Sequence, residues 1–139
     1  MSVFKLQILT PRGSFFKGEV EHINFSNSIG KIEILPGHIP YISEILPSVL
    51  DIKQDGVIKK AAITEGIVDF KDNSAFIMAQ AAEWPGDIDL NRAQKSYDRA
   101  KERVISKHRD IDKKRAEIAL MRSIVRMKCA NSESCNINK

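Results

Sequence analysis

Apolar and polar residues alternate with a period of two through the first part of the chain, from Val3 to Gln80. Phe4, Leu6 and Ile8 form the first such run, and similar short runs follow at roughly ten-residue intervals, each ended by turn residues. This alternation is typical of half-buried strands, and no segment of helix length separates the runs. The pattern therefore predicts an antiparallel β-sandwich or barrel of about ten strands.

The sharpest local feature of this part is the dipeptide Asp55-Gly56 between two apolar runs. Both residues tolerate a positive φ angle, which the two-residue turn of a β-hairpin requires. The sequence therefore predicts a hairpin that turns at these two positions.

The segment Trp84-Pro85-Gly86 interrupts the pattern, because proline disfavours helix at the residue before it and glycine adds flexibility. After this segment the apolar residues recur with the spacing of a helix. The apolar positions of a first helix recur at steps of three and four: Leu90, Ala93, Tyr97, Ala100 and Val104. Asp87 or Asp89 can cap this helix. A second helix is expected from about Ile111 to Lys128, with Asp110 or Asp112 as its cap.

The second predicted helix has two apolar flanks. One consists of Ala116, Leu120, Ile124 and Met127, and the other of Ile118, Met121 and Val125. One flank can pack on the first helix, so the other needs a second surface. That surface is either the chain's own sandwich or a partner protein, and the pattern alone does not decide between them.

These patterns divide the chain into a β-sandwich domain at 1–86, a helical hairpin at 87–130 and a polar tail at 131–139 that is expected to be disordered. The fold class is α+β. Charge follows the same division: residues 1–86 hold 8 basic and 10 acidic side chains, whereas residues 87–130 hold 13 and 7.

Composition excludes several classes of protein. No apolar run approaches the roughly 20 residues of a membrane span, and the first residues lack the pattern of a signal peptide, so a soluble intracellular protein is expected.

Cys129 and Cys135 have no histidine nearby and predict reduced thiols, with no metal site. The three histidines are scattered, and no Walker, Rossmann or HExxH motif is present. No catalytic residues are predicted.

The basic hairpin is the stronger chemical signal. Arg92, Lys95, Arg99 and Arg103 follow one face of the first helix, and Arg122 and Arg126 lie one turn apart on the second. Arginine forks suit phosphate groups, although a solvated face explains the first stripe equally well. Binding to nucleic acid is a weaker interpretation, because the sandwich is acidic and few aromatic residues offer stacking surfaces.

Four segments of the chain resemble the epsilon subunit of bacterial F-type ATP synthase, whose mitochondrial counterpart is called delta. They are residues 6–13, 30–40, 66–70 and 88–93, and the second contains a Leu-Pro-Gly-His-x-Pro element at 35–40. The resemblance extends from Val3 to about Met127. It implies a ten-stranded sandwich followed by two antiparallel helices, in agreement with the periodicity.

The resemblance also implies a role. In that family the subunit is not itself an enzyme: its sandwich binds the gamma subunit and the c-ring of the rotating stalk, at the cytoplasmic face of the bacterial cell membrane. The Pro36-Gly37-His38 loop is expected near that interface. The hairpin either folds onto the sandwich or extends toward the alpha and beta subunits, where it blocks ATP hydrolysis. Contact with the membrane is expected only through the complex, and no nucleic acid is expected as a partner.

Some members of the family bind ATP in the folded hairpin as a regulatory ligand. The resemblance maps their ATP-binding residues onto Glu83, Ile88, Asp89, Arg92, Ala93, Arg99, Arg122 and Arg126. It implies that Asp89 and the backbone near Glu83 orient the base, that Ala93 leaves room for it, and that the arginines hold phosphates. Two other functions remain open at this point: a stand-alone β-sandwich binding module and a weak nucleic-acid binder.

Overall fold

The computed structural model describes residues 2–105 and 110–136, with side chains described for 2–105 and 114–131. Within these residues the chain forms ten strands, one short 3₁₀ turn and two helices. The strands are β1 (Phe4–Thr10), β2 (Gly13–Val20), β3 (His22–Ser26), β4 (Lys31–Ile34), β5 (Tyr41–Ile45), β6 (Ser48–Gln54), β7 (Val57–Ile63), β8 (Gly66–Lys71), β9 (Ser74–Ala79) and β10 (Ala82–Glu83). The 3₁₀ turn Pro85–Asp87 leads to α1 (Leu90–Ile105) and α2 (Asp110–Asn136).

The strands form two five-stranded sheets that pack face to face. The first sheet has the order β2-β1-β9-β8-β5 and the second the order β10-β7-β6-β3-β4. Their inward-facing side chains form one apolar core, whose largest fully buried members are Phe4, Phe25 and Phe70. The core consists entirely of strand residues, so the sandwich holds together without the helices. The expected fold, a ten-stranded sandwich followed by two helices, is confirmed.

The predicted hairpin turn is present at Asp55-Gly56. Their φ angles are 52° and 77°, and Gln54 pairs with Val57 across the turn. A second turn of the same kind joins β8 to β9 at Asp72-Asn73, where both φ angles are also positive. In each case the local sequence supplies residues that accept the left-handed conformation.

One strand pairing differs from the expected antiparallel arrangement. β1 pairs with β9 in parallel, with Leu6 beside Ala75 and Ile8 beside Ile77. A parallel neighbour requires a long connection, and the seven strands between β1 and β9 supply it by passing through both sheets. Alternation of apolar residues marks a strand as half-buried, but it carries no information on the direction of its neighbour.

The helices pack against each other, and α2 also lies on β6 and β7 of the second sheet. The sequence places the end of the second helix near Lys128 and predicts a disordered tail at 131–139. The structure corrects this: α2 continues to Asn136, and residues 137–139 lie outside the described part. Cys129 and Ala130 are buried against the sandwich, so packing supports the helix beyond Lys128.

Only part of the second apolar flank is covered by the chain itself. Val125 packs on the sandwich, whereas Ile118 and Met121 on the same flank are 40% and 36% exposed. The sandwich therefore meets α2 along its C-terminal half, and the two exposed residues lie N-terminal to that contact.

Gly66 begins β8 at a point of very close backbone approach. A Cβ atom there would lie 2.2 Å from the backbone oxygen of Met78 on the paired strand. Glycine is thus required by space at this position, since the obstructing atom belongs to the backbone.

We predict that Gly66→Ala lowers the free energy of unfolding by about 2–3 kcal/mol, because the strands must separate locally to admit the methyl group. Urea unfolding monitored by circular dichroism measures the change. The matched control is Gly18→Ala, whose methyl group would lie 3.1 Å from the flexible Gln54 side chain. This control is expected to cost less than about 1 kcal/mol, and equal costs for the two variants would contradict the account.

Candidate functional site

A small apolar cluster joins the two domains where the linker enters the hairpin. Ile88, just after the 3₁₀ turn, packs with Ala62 of β7 and with Val125 and Cys129 of α2. Ile88 was expected among the ATP-binding residues, and its side chain is buried in this cluster. It therefore contributes to docking of the hairpin in this structure.

Asp89 is the N-cap of α1. Its Oδ1 accepts a hydrogen bond from the backbone N–H of Arg92 at 3.1 Å, and its backbone oxygen accepts one from Ala93 at 3.0 Å. This settles the choice that the sequence left between Asp87 and Asp89. Ala93 is fully buried, so a larger side chain has no room there.

Glu83, at the end of β10, forms an ion pair with Arg126 of α2. The Arg126 Nε lies 2.8 Å from Glu83 Oε1, and Arg126 Nη2 donates to Oε2 at 3.3 Å. The angle at Nε is outside hydrogen-bond geometry, so charge attraction dominates that contact. Both side chains are largely shielded from solvent, which strengthens the attraction relative to a fully exposed pair.

A second acidic residue, Glu65, pairs with Arg122 of α2 through two hydrogen bonds. Arg122 donates through Nε to Glu65 Oε2 at 3.1 Å and through Nη2 to Glu65 Oε1. A bidentate arrangement fixes the guanidinium plane as well as its position. Glu65 was not among the predicted site residues, because it lies 57 residues from Arg122 and belongs to no local motif.

The two ion pairs border a cleft of about 450 Å³ between the sandwich and the hairpin. Its lining includes Thr64 and Glu83 from the sandwich, Ser96 from α1, and Arg122 and Arg126 from α2. The volume lies within the usual range of small-molecule sites, and the lining offers hydroxyl, guanidinium and carboxylate groups. The cleft is therefore the strongest candidate site on the hairpin.

The structure brings three of the eight expected ATP-binding residues into this lining: Glu83, Arg122 and Arg126. Arg92 and Arg99 are exposed on α1, one turn before and one turn after Ser96. Because residues three or four apart share a helix face, both lie on the same face of α1 as Ser96. Arg92 and Arg99 thus flank the site without lining it.

The linker before the hairpin is anchored by aromatic contacts. The ring of Trp84 stacks on Phe15 with a centroid distance of 4.6 Å and an interplanar angle of 24°. It also meets Phe16 edge-on at 6.4 Å. Since Phe15 and Phe16 lie on β2, these contacts tie the end of the sandwich domain to its first sheet, immediately after Glu83.

A second candidate surface is the outward face of the first sheet. Leu9, Met78 and Ile67 are direct cross-strand neighbours on β1, β9 and β8. Met78 and Ile67 are 51% and 49% exposed, and Ile42 on β5 is 72% exposed. Leu9, Ile67 and Met78 also line a shallow groove of about 400 Å³. An apolar row of this kind on a sheet face is typical of an interaction surface.

The loop at Pro36-Gly37-His38 is held firmly against the same sandwich. Gly37 has a φ of 79°, and its N–H donates to the side chain of Asn73 at 2.9 Å. The His38 ring meets Tyr41 and Phe70 edge-on. On either side of this segment, Leu35 and Ile39 are exposed, so the loop presents apolar side chains to a neighbour.

Neither helix, over the residues described, is long and apolar enough to cross a membrane. In the same part of the chain no group of three or more His, Cys, Asp or Glu side chains is arranged to hold a metal ion. Cys129 is present as a buried thiol, and the side chain of Cys135 lies outside the described residues.

A β-sandwich followed by a helical hairpin defines the class of this chain, and two family models match its two parts. Residues 3–85 match the ATP synthase delta/epsilon chain β-sandwich domain, and residues 87–131 match the ATP synthase delta/epsilon chain long α-helix domain. The chain belongs to the family of ATP synthase delta/epsilon chains.

Curated relatives agree with this assignment. The chain is 37% identical over 134 residues to the ATP synthase epsilon chain of Ruminococcus albus, covering 96% of this chain and 100% of the relative. It is 43% identical over 125 residues to the epsilon chain of Clostridium novyi, covering 89% and 95%. These relatives favour an ATP synthase subunit over a stand-alone binding module or a nucleic-acid binder.

Solved structures share the fold. A chain in the cryo-EM structure of Euglena gracilis mitochondrial ATP synthase, described as OSCP/F1/c-ring, superposes with a TM-score of 0.80 at 19% identity, covering 94% of this chain and 82% of that one. A chain in the central stalk/c-ring structure of Tetrahymena thermophila mitochondrial ATP synthase gives 0.68 at 14% identity, covering 91% and 95%. At such low identity the likeness concerns the fold alone.

Proposed function

We propose that this chain is a non-catalytic subunit of the rotor of a bacterial F-type ATP synthase and that its hairpin regulates ATP hydrolysis. The observation that carries the proposal is the way α2 is held. It lies on the sandwich through a small apolar cluster and two ion pairs, while part of its apolar flank remains exposed. A helix held by so limited a contact can leave it for another partner.

The sandwich domain is proposed to bind the gamma subunit and the c-ring. The apolar row Leu9, Met78 and Ile67 and the apolar residues beside His38 support this assignment, because each is an exposed patch on a rigid scaffold. The likeness in fold to chains from a central stalk/c-ring structure is consistent with it. In this position the subunit would lie at the cytoplasmic face of the cell membrane and contact the membrane only through the complex.

We predict that Ile67→Asp weakens association with the gamma subunit at least tenfold, since a carboxylate would be buried in an apolar contact. Co-purification and a titration with labelled gamma subunit measure the change. The control is Val57→Asp, which places the same charge at an exposed strand position of the second sheet. Equal association of Ile67→Asp and the unmodified chain would contradict the proposed docking face.

The hairpin is proposed to alternate between the docked state and an extended state that reaches the alpha and beta subunits. The exposed arginines of α1 and the exposed Ile118 and Met121 of α2 support this, because they offer cationic and apolar contacts to an acidic partner surface. Truncation after residue 87 is therefore expected to raise ATP hydrolysis by the assembled enzyme severalfold.

A phosphate-release assay on the reconstituted enzyme measures this effect. Removal of residues 132–139 alone serves as the control and is expected to leave hydrolysis near the level of the full chain. The sandwich keeps its own strand-built core in both truncated forms, so assembly of each form into the enzyme can be checked independently of hydrolysis. Unchanged hydrolysis after the longer truncation would contradict a regulatory hairpin.

The cleft between the domains is proposed to bind ATP as a regulatory ligand. Arg122 and Arg126 already hold carboxylates there, and Arg92 and Arg99 share a face of α1 with Ser96. Arginines near the cleft thus outnumber the acidic partners Glu65 and Glu83. An arginine fork that donates to both oxygens of a carboxylate can donate to two phosphate oxygens in the same geometry. ATP bound only to the docked hairpin would stabilise that state by mass action.

We predict that the isolated protein binds ATP in calorimetry and that Arg92→Gln combined with Arg126→Gln weakens binding at least tenfold, since two phosphate partners are lost. Adenosine is expected to bind far more weakly than ATP. Arg12→Gln, at an exposed turn of the sandwich, is the control and should bind ATP as the unmodified chain does. An absence of ATP binding to the isolated protein would remove this part of the proposal.

A further inference from the structure

Glu65 lies on a rigid platform made of two adjoining turns. Thr64 donates its N–H to the Ala81 oxygen at 3.0 Å, and the Ala81 N–H donates to Thr64 Oγ1 at 2.8 Å. The Gln80 N–H also donates to the backbone oxygen of Glu65 at 3.2 Å. Gly66 follows at a point where the backbone is too tightly packed to admit a side chain. The backbone that carries Glu65 is therefore fixed before any helix docks.

Glu83 is fixed by a different set of contacts. It lies in β10, which pairs with β7, and the next residue is Trp84, whose ring stacks on Phe15. Glu65 and Glu83 thus both belong to the rigid sandwich. If the hairpin moves away, the arginines leave with α2 and both carboxylates stay behind.

The spacing of the two arginines matches these two carboxylates. Arg122 and Arg126 are separated by four residues, which is about 6 Å along a helix axis, and they point to the same side of α2. Each meets its own glutamate on the sandwich. Two simultaneous pairs fix both the position of α2 along the sandwich and its rotation about its own axis.

The apolar contact beneath α2 is small by comparison. On the α2 side it consists of Val125, Cys129 and Ala130, and on the sandwich side of Ala62 with Val49 packed against it. Ile88 of the linker completes the cluster. Most of these side chains are short, so each contributes little buried apolar area. Docking therefore depends on the charge pairs more than it would for a helix with large buried side chains.

We propose that Glu65–Arg122 and Glu83–Arg126 form a two-point electrostatic lock that holds the hairpin docked in the absence of any nucleotide. This inference rests on the proposed regulatory function for its biological role, because it identifies what keeps the hairpin from extending. It assigns to Glu65 the role of a positioning residue that sets the place of Arg122 in the cleft. The lock itself needs neither ATP nor a partner subunit.

The buried thiol of Cys129 offers a direct measure of undocking. Its side chain has no exposed surface in the docked state and lies between α2 and the sandwich. A thiol reagent can therefore reach it only when α2 lifts away, so the modification rate follows the open population when reclosing is fast. Cys135→Ser in every variant restricts the signal to Cys129.

The test compares modification rates of the full chain without nucleotide. Glu65→Gln and Arg122→Gln are each expected to react about two- to fivefold faster than the parent, because one partly exposed bidentate pair is lost. Added salt should accelerate the parent and have less effect on either variant. Glu44→Gln, an exposed carboxylate on the first sheet, is the matched control and should react like the parent.

Reversing both charges distinguishes loss of the Glu65–Arg122 ion pair from a general destabilising effect of substitution. Glu65→Arg alone should react faster than the parent, and adding Arg122→Glu should return the rate toward it. Equal rates in Glu65→Gln and the parent, or no restoration in the reversed pair, would overturn the lock. Adding ATP to the parent tests the nucleotide site separately. If ATP leaves the modification rate of the parent unchanged while Glu65→Gln and Arg122→Gln still react faster, the proposed ATP site is wrong and the lock is supported.

Discussion

The contact between α2 and the outward face of β6 and β7 holds the two domains of this protein together. The sandwich has a complete strand-built core of its own, and α1 touches it mainly through α2 and the linker. The hairpin is therefore attached to the sandwich at one helix face. Its docked position depends on the small apolar cluster around Ile88 and on two ion pairs at the neighbouring cleft.

The two domains differ in the side chains that stabilise them. The sandwich keeps its large apolar residues inside, and a few exposed apolar residues form patches on its surface. The hairpin has arginines and small residues at its contact with the sandwich, so the docked state rests on interactions of modest strength. The proposed regulatory role requires such a balance, because states that differ by a few kcal/mol can be exchanged by a ligand or partner.

Local sequence predicted what depends on local chemistry. The Asp55-Gly56 turn follows from two residues that accept positive φ, and the cap at Asp89 was one of two candidates at the change of period. The direction of β9 beside β1 could not be read in the same way, since it depends on residues about 70 positions apart. The length of α2 was underestimated because burial of Cys129 and Ala130 is a property of the docked helix.

The candidate site shows the same limit. A run of arginines at helical spacing indicated an anion site, and the resemblance to the epsilon family supplied Glu83. Glu65 has no signal in its neighbourhood, because its partner Arg122 is brought to it only by docking of the hairpin. Which side chains pair between domains depends on the tertiary structure and cannot be predicted from the local pattern of a single sequence.

The central claim is that the hairpin leaves the sandwich in the working complex. It is tested most directly by a distance measurement in the assembled enzyme, with spectroscopic labels at Lys59 of β7 and Lys128 of α2 in a cysteine-free background. The account predicts one short distance at high ATP. It predicts a second, longer distance when ATP is depleted, because in the assembled enzyme the alpha and beta subunits then compete with the two ion pairs for the hairpin. A single short distance under both conditions would contradict it.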